Sequence, residues 1–457
     1  MHNSLKSISA CRALPAMERS VINAHQVIVV GGGAGGLELA TRLGDRFRRD
    51  GRASLTLVDQ NRTHVWKPLL HEVAAGSIDV HAHQLDYLAQ ARWHHFRFCN
   101  GALESLDRWR REITVAPELD ERGIEVIPRR VLRYDTLVLT VGGITNSFGV
   151  PGVAEHAFML DSADEADRFH QRFVNACMQA NYRASADRPA HLRVVIVGGG
   201  ATGVELAAEL HNTTRVLAAY GLESIDPERY VRITLLNADS RILAQLPERI
   251  SRATAEVLQD LGVEVLNGEQ VVAVAPGAVS TKSGKVLRGD FTVWAAGIKG
   301  AEFLTDLAGL ETNRLNQLVV IPTLQTTRDP DVFAIGDCAA CPWEGHAVPV
   351  PPRAQAAHQQ ASHLLRSMKR RLRRQALPPF RYRDFGSLVS LGEYSTVGSL
   401  MGFLSGKSLR VEGWFARLMY ISLHKLHLLA LHGILGVLFD AVARFLKRGT
   451  EPRVKLH

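Results

Sequence analysis

The feature that most constrains this chain is a pattern it carries twice. Near the start, His25-Gln-Val-Ile-Val-Val30 is an apolar run of strand length. Gly31-Gly-Gly-Ala-Gly-Gly36 follows, and Leu37-Glu-Leu-Ala-Thr-Arg-Leu43 continues with the spacing of a helix. Gly31, Gly33 and Gly36 complete G-x-G-x-x-G. In such a loop the first glycine makes a tight turn, the second lets backbone N–H groups approach a pyrophosphate, and the third lets helix and strand pack closely. The helix N-terminus then faces the phosphates. A second strand, Ala53 to Val58, ends in Asp59, a carboxylate placed to accept both ribose hydroxyls of an adenosine. Strand, loop, helix, strand and acid in that order specify a dinucleotide unit, which a lone glycine loop would not.

The pattern returns at Leu192-Arg-Val-Val-Ile-Val197, Gly198-Gly-Gly-Ala-Thr-Gly203 and Val204-Glu-Leu-Ala-Ala-Glu-Leu210. Gly198, Gly200 and Gly203 take the three roles. Its second strand, Val231 to Leu236, ends on Asn237 where the first copy has an acid. Tyr134 to Gly143 and Phe291 to Ile298 each read as a strand entering a small-residue turn, the returns by which the chain leaves each unit. Val332-Phe-Ala-Ile-Gly-Asp-Cys338 is a further buried strand with Gly336 and Asp337 at its tip. The expected fold is α/β, with two Rossmann-like dinucleotide-binding domains, the second inserted in the first, and a C-terminal amphipathic helical region. Two such units imply two nucleotides, one held permanently and one exchanged.

Composition sets the outer bounds. At 457 residues, 46% hydrophobic and 22% charged, the chain can bury two or three cores, which excludes disordered and fibrous classes. The five cysteines, at 11, 99, 177, 338 and 341, make one C-x-x-C (Cys338 and Cys341) and no disulfide framework, so a reducing compartment fits best. The first 24 residues hold no signal-like apolar run, and no stretch reaches the roughly 18 uncharged apolar residues of a spanning helix. The net charge of +8 is concentrated: from Ser405 onward nine Lys or Arg face three acids. In the same tail Phe415, Leu418, Met419, Leu423, Leu426 and Ala430 recur at helical spacing. Trp414 to Leu446 therefore reads as an amphipathic helix lying in a membrane interface, with Arg444, Lys447, Arg448, Arg453 and Lys455 against anionic headgroups. The competing reading packs it on the protein or on a second copy, as a homodimer. A second basic run, Arg366 to Arg374, has the charge to touch lipid headgroups or nucleic acid, and its plainer reading is a solvated helix face.

Further segments carry a family resemblance. Trp66-Lys-Pro-Leu-Leu-His-Glu-Val-Ala-Ala-Gly-Ser77, Val293-Trp-Ala-Ala-Gly-Ile-Lys299, Gly336-Asp-Cys-Ala and above all Pro352-Arg-Ala-Gln-Ala-Ala-His-Gln359 resemble the type II NADH:quinone oxidoreductases. These are the single-subunit, non-pumping respiratory NADH dehydrogenases of bacteria. The last segment fits the family's quinone-site pattern A-Q-x-A-x-Q through Ala354, Gln355, Ala357 and Gln359. The resemblance implies non-covalent FAD in the first unit, with Asp337 on a ribityl hydroxyl, and NADH as substrate in the second. It carries Lys67, Ala354 and Gly297 into the cofactor-binding set. It also implies that the helix from Ala354 points its positive end at the flavin, steadying the anionic reduced ring, and that Gln355 donates to a quinone carbonyl. Glu205 matches the family's acid near nicotinamide and flavin; its plainer reading is a helix cap. The expected organisation is an extension over 1–24, an FAD domain over 25–160 and 301–385, an NADH domain over 161–300 and a membrane-association region over 386–457. The implied partners are NADH, a membrane quinone and the cytoplasmic face of the cell membrane.

Rival classes leave marks that are missing or weak here. A disulfide reductase needs a cysteine pair early in the flavin unit, and Asp59 to Ser77 contains none. A sulfide:quinone oxidoreductase would have to use Cys177, Cys338 or Cys341, and the pair reads as structural. A basic nucleic-acid-binding flavoprotein is the alternative from another class, and the quinone-helix pattern argues against it. His71, His358, His424, His427 and His432 lack metal-ligand spacing, so no metal is expected.

Overall fold

The computed structural model describes residues 24–183, 191–222 and 231–391, and beyond them the strand segments 396–401 and 408–412 with a few single positions. The interfacial helix expected over 414–446 lies outside these residues apart from single positions, as do Cys11 and residues 1–23. In chain order the strands of the two main sheets are His25–Val30 (β1), Ala53–Asp59 (β2), Arg97–Asn100 (β3), Thr136–Leu139 (β4), Leu192–Val197 (β5), Val231–Asn237 (β6), Glu264–Asn267 (β7), Phe291–Trp294 (β8), Gln325–Thr326 (β9) and Asp329–Ala334 (β10). The helices that position the site are Ala34–Asp50 (α1), Leu70–Ala75 (α2), Tyr87–Trp93 (α3), Ala163–Arg183 (α4), Ala201–Ala219 (α5), Glu248–Asp260 (α6) and Ala354–Arg371 (α7).

The first sheet has the order β9-β10-β4-β1-β2-β3 and the second the order β7-β6-β5-β8. All pairings are parallel except β9 with β10. Strands covered by helices on both faces should be apolar throughout, and Val27 to Val30 and Val194 to Val197 are all buried. The nesting is visible in the pairing: β4 takes β10 as its neighbour, Leu137 opposite Val332, across the whole second unit. Where the chain leaves β4 and β8 the two units are stitched together, Gly143–Thr145 pairing antiparallel with Ile298–Gly300.

Two cores follow from two sheets. The first gathers Val29, Leu37, Leu57, Leu137 and Phe333 around β1. In the second, Phe169 and Phe173 of α4 meet Phe291 of β8, ring centroids 5.7 and 6.0 Å apart. Leu70, Val73, Ala74 and Ala75 of α2 are also buried in that second core, although α2 lies in the connection from β2 to β3. The first unit thus reaches into the second. Among the described residues no helix is long and apolar enough to cross a membrane.

Candidate functional site

The two glycine loops repeat one another in detail. Gly31 N donates to Val58 O and Gly198 N to Leu236 O, each at 2.8 Å; Thr140 N donates to Val30 O and Ala295 N to Val197 O, each at 2.7 Å. A Cβ on Gly36 would lie 1.9 Å from Gly31 O, and one on Gly203 would lie 2.0 Å from Gly198 O. Glycine there is demanded by helix-on-strand packing. Gly33 and Gly200 differ, because a Cβ on either would meet nothing within 4 Å. The protein's own packing does not require glycine at these two places. They open α1 and α5, neither of which has a side-chain cap. Uncapped first-turn N–H groups facing open space fit a pyrophosphate at each loop.

The two strand-end residues behave differently. Asp59 accepts from Gly32 N at 2.6 Å and from Asn61 N at 2.8 Å, and burial raises its pKa above the usual carboxylate range. Asn237, also buried, donates its amide to Asp239 O at 3.1 Å and to Asn267 Oδ1 at 2.9 Å.

A third cluster forms where α7 begins. Gly336 and Asp337 make a tight turn after β10, held by Gln360 Oε1 accepting from Gly336 N at 2.7 Å and by Gln317 Nε2 donating to Asp337 O at 2.9 Å. Burial raises the Asp337 pKa, and the charge of nearby Lys67 opposes that rise. Lys67 donates to Gly143 O at 2.8 Å and pairs with Asp161 at 3.1 Å. The first turn of α7 is fitted against the first glycine loop: a Cβ on Gly35 would stand 3.4 Å from that of Ala357, and one on Gly336 3.8 Å from it. Ala354 opens this helix, which has no side-chain cap and continues to Arg371. Gly297 turns with φ of 70° against Phe148, directly before the stitch between the units.

Gln355 and Gln359 both turn toward the segment after α7. Gln355 Nε2 donates to Asp384 Oδ1 at 3.2 Å and to Gly386 O at 3.0 Å, and Gln359 exchanges hydrogen bonds with the backbone of Arg383 at 2.8 and 3.0 Å. The N-cap position of α5 is Gly200, not Glu205. Glu205 is buried in the second turn of α5, 3.7 Å from His71 of α2. The seam continues along α5, with Ser77 donating to Glu209 at 2.5 Å and Thr213 to Ala75 O at 2.6 Å. Burial pushes the pKa of His71 down to about 4, so the ring is neutral. Arg371, in the basic run, pairs with Asp331 and donates to Thr136 Oγ1 at 2.8 Å, so part of that run is tied to the sheet. Cys177, Cys338 and Cys341 are buried free thiols whose pKa burial pushes up to about 12, which removes the thiolate that sulfur chemistry would need. No group of side chains among the described residues could hold a metal ion.

Sequence reasoning missed His64, Tyr87, Thr140, Gln317 and Gln360, all of which support the loops through the backbone. Gln360 directly follows the quinone-site pattern, and its signal was adjacency alone. Thr140 lay inside the Tyr134 to Gly143 return without its hydroxyl being singled out, and His64, Tyr87 and Gln317 arrive from segments with no motif.

Two nested dinucleotide-type units meeting at one seam, with no reactive thiol beside it among the described residues, define an oxidoreductase of the pyridine nucleotide-linked class. The profile of the pyridine nucleotide-disulphide oxidoreductase family matches residues 25–361. A type II NADH:quinone oxidoreductase of Haemophilus influenzae is 39% identical over 94% of this chain and 99% of its own length, and one of Staphylococcus aureus is 28% identical over 82% and 90%. NDH2 from Plasmodium falciparum, solved in complex with NADH, shares the fold with a TM-score of 0.77 at 19% identity over 94% of this chain and 99% of that one. With such identity along nearly its whole length, the chain belongs to the type II NADH:quinone oxidoreductases.

Proposed function

We propose that this chain holds FAD non-covalently in its first unit, takes hydride from NADH bound in the second and passes the electrons to a membrane quinone. The observation that carries the reading is the convergence at α7. Its uncapped first turn sits against the first glycine loop and the Gly336–Asp337 turn, while α5 of the second unit meets α2 of the first a few residues beyond Lys67. When bound, the flavin supplies a two-electron centre that accepts hydride and returns electrons to a quinone. The chain supplies position and charge. Asp59 takes the adenosine ribose hydroxyls, and the Gly33 loop takes the pyrophosphate. Asp337 takes a ribityl hydroxyl, with Lys67 beside it. The positive end of α7 would steady negative charge on a flavin held there. Gly198, Gly200, Gly203 and Asn237 receive NADH, and Gly297 turns the chain back toward the flavin. Glu205, buried on the seam beside His71, would serve the nicotinamide. Ala354 leaves room for a flat quinone head, and Gln355 and Gln359 frame its approach. Attachment to the membrane falls to the basic, apolar C-terminal region, on the cytoplasmic face.

The test is NADH oxidation by purified protein with a short-chain quinone, coupled to chromatography of the flavin released on denaturation. FAD at about one per chain and quinone-dependent turnover are expected. Recovery of FMN, or NADH oxidation indifferent to quinone, would remove the proposal.

A further inference from the structure

The two loops share their backbone bonds but differ in the groups that grip them. A trans peptide is planar, so fixing a carbonyl oxygen on one side aims the next residue's N–H to the other. In the first loop the Gly32 carbonyl accepts from Tyr87 Oη at 2.8 Å and from His64 Nδ1 at 2.9 Å, both rings buried. The N–H on the far side of that peptide belongs to Gly33, where the loop opens to solvent. The preceding peptide is held at both ends: Thr140 Oγ1 donates to Gly31 O, and Asp59 accepts from Gly32 N. Tyr87 also fills the space beside Gly32, where a Cβ would stand 2.4 Å from its ring. Burial raises the Tyr87 pKa well above its usual value, so the phenol keeps its proton; it lowers that of His64 to about 4, so the ring is neutral and donates to the carbonyl in the tautomer that carries its one N–H on Nδ1.

In the second loop the Gly199 carbonyl accepts from the backbone N–H of Leu243 at 2.7 Å. Ala295 stands where the first unit has Thr140, and Asn237 turns its amide to Asp239 and Asn267. The first loop is gripped by buried side chains from the strand at Thr63–His64, from α3 and from the end of β4.

We propose that His64, Tyr87 and Thr140 are positioning residues that hold the first glycine loop in its ligand-ready shape, making its nucleotide resident while the second exchanges. A loop ordered on folding has little ordering cost left at binding, and the gain appears as slow release. This rests on the first unit being the FAD unit.

The experiment measures the rate at which FAD leaves the holoprotein, from the rise in free-flavin fluorescence, together with NAD+ affinity. Tyr87→Phe keeps the ring and removes one hydroxyl, and Thr140→Val keeps the shape. Each should speed FAD release by about tenfold and the pair by more, the loss expected for a buried hydrogen bond, while NAD+ affinity stays within about threefold. Release at the wild-type rate from both variants overturns the inference, as does an equal loosening of NAD+. A second readout needs no variant: amide hydrogen exchange in the wild-type holoprotein should be slow over 31–36 with or without NAD+, and slow over 198–203 only with it. Equal exchange in both loops before NAD+ is added would also overturn it. Wild-type protein that purifies without FAD would instead defeat the functional reading.

Discussion

Asp59 and Asn237 occupy the same place in two copies of one motif and do opposite things. The acid accepts backbone N–H groups and, half-buried, can accept ribose hydroxyls as well; the amide is turned away to Asp239 and Asn267. An uncharged strand end does not repel a 2′-phosphate, so the preference for NADH over NADPH should be modest and should sharpen in Asn237→Glu. We expect the ratio of kcat/KM values to move toward NADH by about tenfold, the order of one close like-charge contact. An unchanged ratio would mean that the selecting contact lies elsewhere. Both residues were legible in the sequence because the motif fixes their spacing from the glycines. Tyr87 and His64 were not: they reach Gly32 from a helix and a strand that carry no pattern, and only the tertiary fold brings them there.

Among the elements, α7 joins most of the site. Its start at Ala354 and its helical character were legible through the family resemblance. The partner of its glutamines was not, because residues 383–386 have no motif to announce them. Gln355 braces Asp384 and Gly386 at the point where the chain departs toward its C-terminal region. In Gln355→Ala, anaerobic reduction by NADH should remain within about twofold of wild type, while reoxidation by quinone should slow by about tenfold, as expected for losing one or two hydrogen bonds. Stopped-flow absorbance separates the two half-reactions, and a defect confined to the NADH step would show that the helix serves the other substrate. α2 was the least legible element. Leu70 to Ala75 is apolar enough to suit either core, and only the structure shows it buried against α4 and α5.

At the scale of the whole molecule, two buried neutral histidines set a pH limit. His64 and His71 titrate near 6.5 when exposed and at about 4 in the fold. Below pH 6.5 the unfolded chain therefore binds protons that the folded chain refuses, and stability falls as the pH drops toward 4. By pH 5 the loss is roughly 2 kcal/mol for each ring. Asp59 and Asp337, raised by burial, act in the opposite sense nearer their own range. The urea midpoint of the holoprotein should fall between pH 7 and pH 5, and less steeply in His64→Gln; a midpoint that stays level would contradict the buried neutral rings. The nested order of the sheets was legible from the repeated pattern, whereas the seam between the units, with Glu205 against His71, depended on side chains brought together from separate helices. The nesting also dictates a sequence of events on the ribosome. β10 and α7 are made after the last strand of the second sheet, with residues 295–371 still to come. At roughly 5–20 residues per second that takes on the order of 4–15 s. Until β10 has been made, and during synthesis of the whole inserted unit before it, β4 presents an apolar edge with no neighbour on one side. The sheet of the second unit can thus be complete while that of the first is unfinished, and the first unit's site cannot be whole until β10 and α7 have been made.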